Sequence, residues 1–199
     1  MDRRFRCGTC RHNMRTCMGH PGHIEFAFPV PHYLFLEKIL KVLRVVCFWC
    51  SECLIDIKDP VIIRRFAAKK RPPARLAAIS MHCRKRACKK CSSLECKGVQ
   101  PLYSKQGVYL HKEWDTNIVF TNEDERNIAN EPFTAKTARD MLRLIDRETC
   151  EFIGLDINSR PEYMILTAFP VPPPLIRPTT MISDSSRTKG HVSIIYILN

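Results

Sequence analysis

Apolar residues recur at helical spacing between Tyr33 and Val46, where Leu36, Ile39, Leu40 and Leu43 share one stripe, which predicts an amphipathic helix facing the core. Upstream, Pro29-Val30-Pro31 closes an extended piece, and downstream Asp59-Pro60 marks a turn. From Val61 to Ile79 the pattern is again helical, but Pro72-Pro73 forbids one continuous helix and leaves a mobile basic elbow. Between Val99 and Phe120, alternation through Tyr103, Val108, Leu110 and Ile118-Val119-Phe120 predicts short strands about a turn at Gln106-Gly107. Thr134 or its neighbour caps a helix over Ala135–Ile145, with Met141, Leu142 and Ile145 inward and Lys136, Arg139 and Arg143 in water. A second short helix follows Asp146 and stops near Gly154. Tyr163–Phe169 reads as a buried strand, after which Pro170–Pro174 imposes polyproline-like extension before Arg177-Pro178.

The cysteines change this picture from a conventional core to a metal-stapled one. Cys7, Cys10, Cys17 and His20 stand at C-x2-C-x6-C-x2-H spacing, with Gly8, Gly19 and Gly22 available for tight turns. Thiolates and an imidazole this close offer one zinc ion a tetrahedral cage. Cys47 and Cys50 form another C-x2-C pair, and Cys88 and Cys91 a third, with Cys53, Cys83 and Cys96 nearby. Two such pairs predict a second, four-thiolate zinc site. Spacing alone does not choose its last two ligands among Cys83, Cys88, Cys91 and Cys96.

The chain has 199 residues, 14 of them proline, and so leans on metal and on neighbours as much as on apolar burial. Its 11 cysteines are an odd number and no apolar leader precedes them, which argues against a secreted disulfide framework. No run of about 18 apolar residues is present, so no membrane-spanning helix is expected. The net charge of +12 is concentrated in the middle third, in Arg64-Arg65, Lys69-Lys70-Arg71 with Arg75, and Arg84-Lys85-Arg86 with Lys89-Lys90. A polyanion is the partner that such a field attracts.

Two segments resemble a known family. Cys7–Ile24, read C-G-T-C-R-H-N-M-R-T-C-M-G-H-P-G-H-I, resembles the zinc motif that opens the clamp of the largest subunit of multisubunit RNA polymerases. Ser159–Thr167, with Phe169–Pro174 and Ile176-Arg177-Pro178, resembles the segment after the clamp helices in its RNA polymerase II-like form. Between them, Arg143–Cys150 and Phe152–Leu155 resemble the short helix pair before that segment, so the likeness covers roughly residues 2–187.

The resemblance implies an α+β fold: an irregular zinc-stapled clamp core with short helices, a small β-sheet and two structural zinc sites. Its parts would be a first zinc motif (1–28), a helix, basic elbow and second zinc site (29–112), clamp helices and a strand (113–170), and a proline-rich, lid-like loop (171–199). The metal ligands it implies are Cys7, Cys10, Cys17 and His20 for the first zinc, and Cys47, Cys50, Cys88 and Cys96 for the second, with Cys91 the substitute for Cys88. Cys53, Cys83 and Cys150 are left without a role. The partners implied are template DNA, the RNA–DNA hybrid, and the second-largest and smaller polymerase subunits. Lys69, Lys70, Arg71, Arg177, Arg187 and Lys189 are the expected phosphate contacts, without base readout. Nucleotidyl transfer needs aspartates holding magnesium, and no such cluster stands in this sequence, so catalysis and Mg2+ are expected only in the complete enzyme. The chain then reads as a slice of a large subunit, working in the nucleus or, for a large DNA virus, in virion or cytoplasm. A stand-alone zinc-binding, nucleic-acid-binding module left by a split gene is the alternative.

Overall fold

The computed structural model describes residues 6–13, 15–84, 87–88, 91, 98–115, 117–118, 123–156, 158–173, 175–176, 179–183 and 186–189. They form a mixed α/β structure with six α-helices, small two-stranded sheets and two cysteine clusters, as the α+β reading expected. The chain divides into two compact units, Met1–Phe26 with Thr167–Asn199, and Ala27–Leu166.

The larger unit is built on α1 (Leu36–Leu43), entered through a short 3-10 turn at Tyr33–Phe35. Ile39, Val42 and Leu43 are completely buried, as are Val45 and Val46 just beyond, so the predicted stripe is the core face. Against α1 pack α3 (Pro72–Cys83) and α5 (Ala135–Arg143), whose buried residues are Leu76 and Ile79, and Ala138, Met141 and Leu142. The hairpin β2 (Leu102–Gln106) and β3 (Tyr109–Glu113) joins them, with antiparallel register Tyr103↔Lys112 and Lys105↔Leu110. Arg44 fastens it by donating to the Tyr103 carbonyl at 2.8 Å. Tyr103 and Leu110 supply its inward face.

Local signals set the helix ends. Asp59 caps α2 (Pro60–Ala67) by accepting from Val61 N–H at 2.8 Å, so the expected turn is a helix start. Pro72 and Pro73 do interrupt the pattern, yet they do so by occupying the first turn of α3, where a missing N–H has no cost. The basic elbow is therefore a hydrogen-bonded connection: Lys69 N–H reaches the Phe66 carbonyl at 3.0 Å, and Arg75 Nε the Lys69 carbonyl at 3.1 Å. Thr134 caps α5 and Asp146 caps α6 (Arg147–Ile153) through the N–H groups of Thr137 and Thr149. Gly154, at φ 84°, closes α6 in the left-handed conformation.

Three expectations need correction. The chain makes α4 (Glu123–Asn130), which the apolar pattern did not announce because only Ala129 of that helix is buried. Its helicity rests on acidic Glu123, Asp124 and Glu125 in the first turn. Ile118 lies outside any strand, while Val119 and Phe120 fall outside the described residues. The strand β4 (Ile165–Val171) exists, but only Ile165 is buried. Its sheet neighbour is β1 (Gly22–Pro31), itself exposed along most of its length, so an apolar strand here does not enter a core. Beyond it, β5 (Thr179–Ser183) and β6 (Ser186–Lys189) pair antiparallel, with Thr179↔Lys189 and Met181↔Arg187 opposite.

Candidate metal centres

In the first centre, one turn offers Cys7 and Cys10: Arg11 N–H returns to the Cys7 carbonyl at 2.8 Å, and Cys7 N–H reaches the His12 carbonyl at 2.9 Å. Asn13 builds the next turn, its side-chain oxygen accepting from Arg15 and Thr16 N–H at 3.0 Å each, and its carbonyl receives Cys17 N–H at 2.9 Å. Gly19, at φ 83°, then folds the chain so that His20 faces Cys17. Gly8 and Gly22 have no positive φ and no neighbour that a Cβ would meet, so of the three expected glycines only Gly19 is required by its conformation. The sulfurs of Cys7, Cys10 and Cys17 and a His20 ring nitrogen all lie within 4.8 Å of one another. The backbone N–H of Cys10, and after it that of Thr9, pulls the Cys7 thiol down to about 6. A ligand that is already thiolate near neutral pH suits a metal.

The second centre joins two distant pairs. A tight hairpin presents Cys47 and Cys50: Val46 bridges Cys53, Cys47 N–H reaches the Glu52 carbonyl, and buried Ser51 takes φ 58° to turn the corner. Cys88 arrives from beyond α3 and is tied by its N–H to the Gly98 carbonyl at 2.9 Å. Cys47, Cys50, Cys88 and Cys91 bring their sulfurs within 4.8 Å of one another. Burial pushes the Cys50 thiol up to about 11, and burial followed by the neighbouring sulfurs raises that of Cys91 further.

The spacings fit zinc. A tetrahedral ion with Zn–S of about 2.3 Å and Zn–N of about 2.0–2.1 Å sets its ligand atoms about 3.6–3.8 Å apart. Cys50 and Cys88 sulfurs are 3.7 Å apart, Cys47 and Cys91 sulfurs 3.9 Å, and Cys17 Sγ to His20 Nε2 is 3.6 Å. A disulfide would need about 2.05 Å, and no described cysteine is in one.

Both Cys88 and Cys91 stand in this quartet, where the sequence offered them as alternatives, and Cys96 lies outside the described residues. Cys53, Cys83 and Cys150 stand outside both quartets; burial pushes the Cys53 thiol to about 11. Lys69, Lys70 and Arg71 are exposed, and among the described residues none of them is in an ion pair. Arg187 and Lys189 lie on β6, and Arg177 is outside the described residues. The sequence pattern assigns Gln100 no role, yet it donates to Cys47 Sγ at 3.2 Å. Nothing in a linear spacing identifies such a contact.

The family model for RNA polymerase Rpb1, domain 1, matches residues 1–197. The chain belongs to that family. Over 211 aligned residues it is 31% identical to DNA-directed RNA polymerase II subunit RPB1 of Euplotoides octocarinatus, an alignment covering 98% of this chain and 42% of that protein. The chain thus corresponds to the N-terminal region of the polymerase's largest subunit and spans less than half the length of this curated relative. Both ligand quartets lie within the stretch matched to Rpb1 domain 1. Among the described residues no helix of this domain is long and apolar enough to cross a membrane.

Proposed function

We propose that the chain forms the clamp of a DNA-directed RNA polymerase, holding template DNA and the RNA–DNA hybrid while the complete enzyme transcribes. The match to Rpb1 domain 1 across residues 1–197 carries this reading. Two zinc ions would serve as folding staples, held by Cys7, Cys10, Cys17 and His20, and by Cys47, Cys50, Cys88 and Cys91. The nucleotidyl transfer itself belongs to magnesium and aspartates of the complete enzyme. Assembly with the second-largest and smaller subunits follows from that role, as does a nuclear location, the name of the relative being an RNA polymerase II subunit.

The connection between α2 and α3 supports a nucleic-acid role, because Lys69, Lys70 and Arg71 are exposed and Arg64 and Arg65 are exposed on the preceding helix. The β5–β6 hairpin, with Arg187 and Lys189 on one strand, is the proposed lid, contacting phosphate backbone rather than bases. The test is duplex binding as a function of salt. Replacing Lys69, Lys70 and Arg71 by glutamine should weaken binding equally for unrelated sequences and reduce the slope of log K against log salt by up to about 2.7, at about 0.9 per phosphate contact. An unchanged slope would return these residues to the solvent.

A further inference from the structure

Gln100 connects the two halves of the second centre. Its Oε1 accepts from Phe48 N–H at 2.6 Å, next to Cys47. Its Nε2 donates to Cys47 Sγ at 3.2 Å and to the Gly98 carbonyl at 2.6 Å, and that same carbonyl receives Cys88 N–H at 2.9 Å. The orientation of the amide is fixed by chemistry: a backbone N–H only donates, so the atom facing Phe48 is the oxygen, and the NH2 group is left facing two acceptors. Cys47 is completely buried, so no water competes for its sulfur.

We propose that Gln100 is a positioning residue of this metal centre, holding the Cys47 sulfur as a ligand and locking the Cys47–Cys50 hairpin to the Cys88 segment. The inference rests on the metal reading above. Four thiolates around a divalent ion leave a net charge of about −2, and an amide N–H directed at one sulfur offsets part of it where solvent does not reach. The same bond draws density from the Cys47 sulfur and lowers its nucleophilicity. Outer partners of this kind are worth about 10–100-fold in metal affinity.

The decisive variant in the full chain is Gln100→Glu, which still accepts from Phe48 N–H but offers Cys47 a carboxylate in place of a donor. Chelator competition should show zinc bound about 10–100-fold more weakly at the four-sulfur site, with the Cys7 site unchanged. Cobalt substitution should show the sulfur-to-metal charge-transfer band of that site shifted to lower energy, a change that a general loss of stability would not produce. Affinity within twofold of wild type together with an unshifted band would overturn the proposal. If the variant does not fold, the cadmium-113-loaded wild-type chain decides: a coupling between the Gln100 side-chain amide proton and the four-sulfur cadmium is expected, and its absence overturns the proposal. Failure of the wild-type quartet to bind any metal would sink the metal reading itself, a result distinguishable from normal binding that ignores Gln100.

Discussion

Gly98→Ala separates backbone strain from steric conflict at the second centre. Gly98 has φ +65°, a conformation that costs an alanine about 1–2 kcal/mol. A Cβ there would also stand 2.5 Å from the Cys88 carbonyl oxygen and 3.0 Å from its nitrogen. Backbone atoms cannot rotate away, so the chain must shift by about half an ångström or more, at about 1–3 kcal/mol, and the residue displaced is one of the proposed metal ligands. The sum is about 2–5 kcal/mol, which for a unit of this size lowers Tm by about 4–20 °C. Gly107 supplies the control: it has φ +60° but no atom within 4 Å of a built Cβ, so Gly107→Ala carries the strain alone. Thermal unfolding of the zinc-loaded chain, followed by circular dichroism with zinc release read in parallel, should rank Gly98→Ala well below Gly107→Ala and show early metal loss only in the former. Equal melting of the two variants would refute the crowding at Cys88 and the geometry of the centre with it.

Leu142→Ala, at a completely buried position, should cost about 2–5 kcal/mol in denaturant unfolding, whereas Leu144→Ala, 71% exposed, should cost under about 0.5 kcal/mol; similar losses would contradict the assignment of the α5 core face. Asp146→Ala removes the side-chain acceptor of Thr149 N–H and should destabilise by about 1 kcal/mol, with Asp146→Asn recovering most of it by the same measurement. Zinc affinity should fall with falling pH, because each protonated thiol must release its proton on binding. With Cys50 at about 11 and Cys7 at about 6 before metal binds, the four-sulfur site should lose affinity more steeply than the Cys7 site between about pH 8 and pH 6.5; parallel slopes in a competition assay would refute the difference. In the metal-free fold the sign reverses: the raised Cys50 thiol stabilises below its ordinary range near about 8.5, and that contribution is lost as pH rises through about 11.

The features legible in the sequence are those whose cause lies within a few residues. The stripe of α1, the Thr134 and Asp146 caps, the Gly154 stop and the Cys7–His20 motif all depend on short spacings, and each is found where those spacings put it. The apolar content of β4 misled because burial depends on what lies against a strand, and β1 is itself largely exposed. Helix α4 escaped notice for the converse reason, its helicity resting on charge at the N-terminus rather than on an apolar face.

By itself, the sequence pointed to two clusters able to hold a metal and to the residue types that would serve them, because C-x2-C and C-x2-H turns are local and metal coordination demands their spacing. Only the tertiary structure decided that Cys88 and Cys91 meet Cys47 and Cys50, since Cys50 and Cys88 stand 38 residues apart and the packing of α3 on α1 brings them together. The same packing gave Gln100 its partners. A hydrogen bond across 53 positions has no signature in spacing, because the fold, not the neighbouring chain, supplies the second atom.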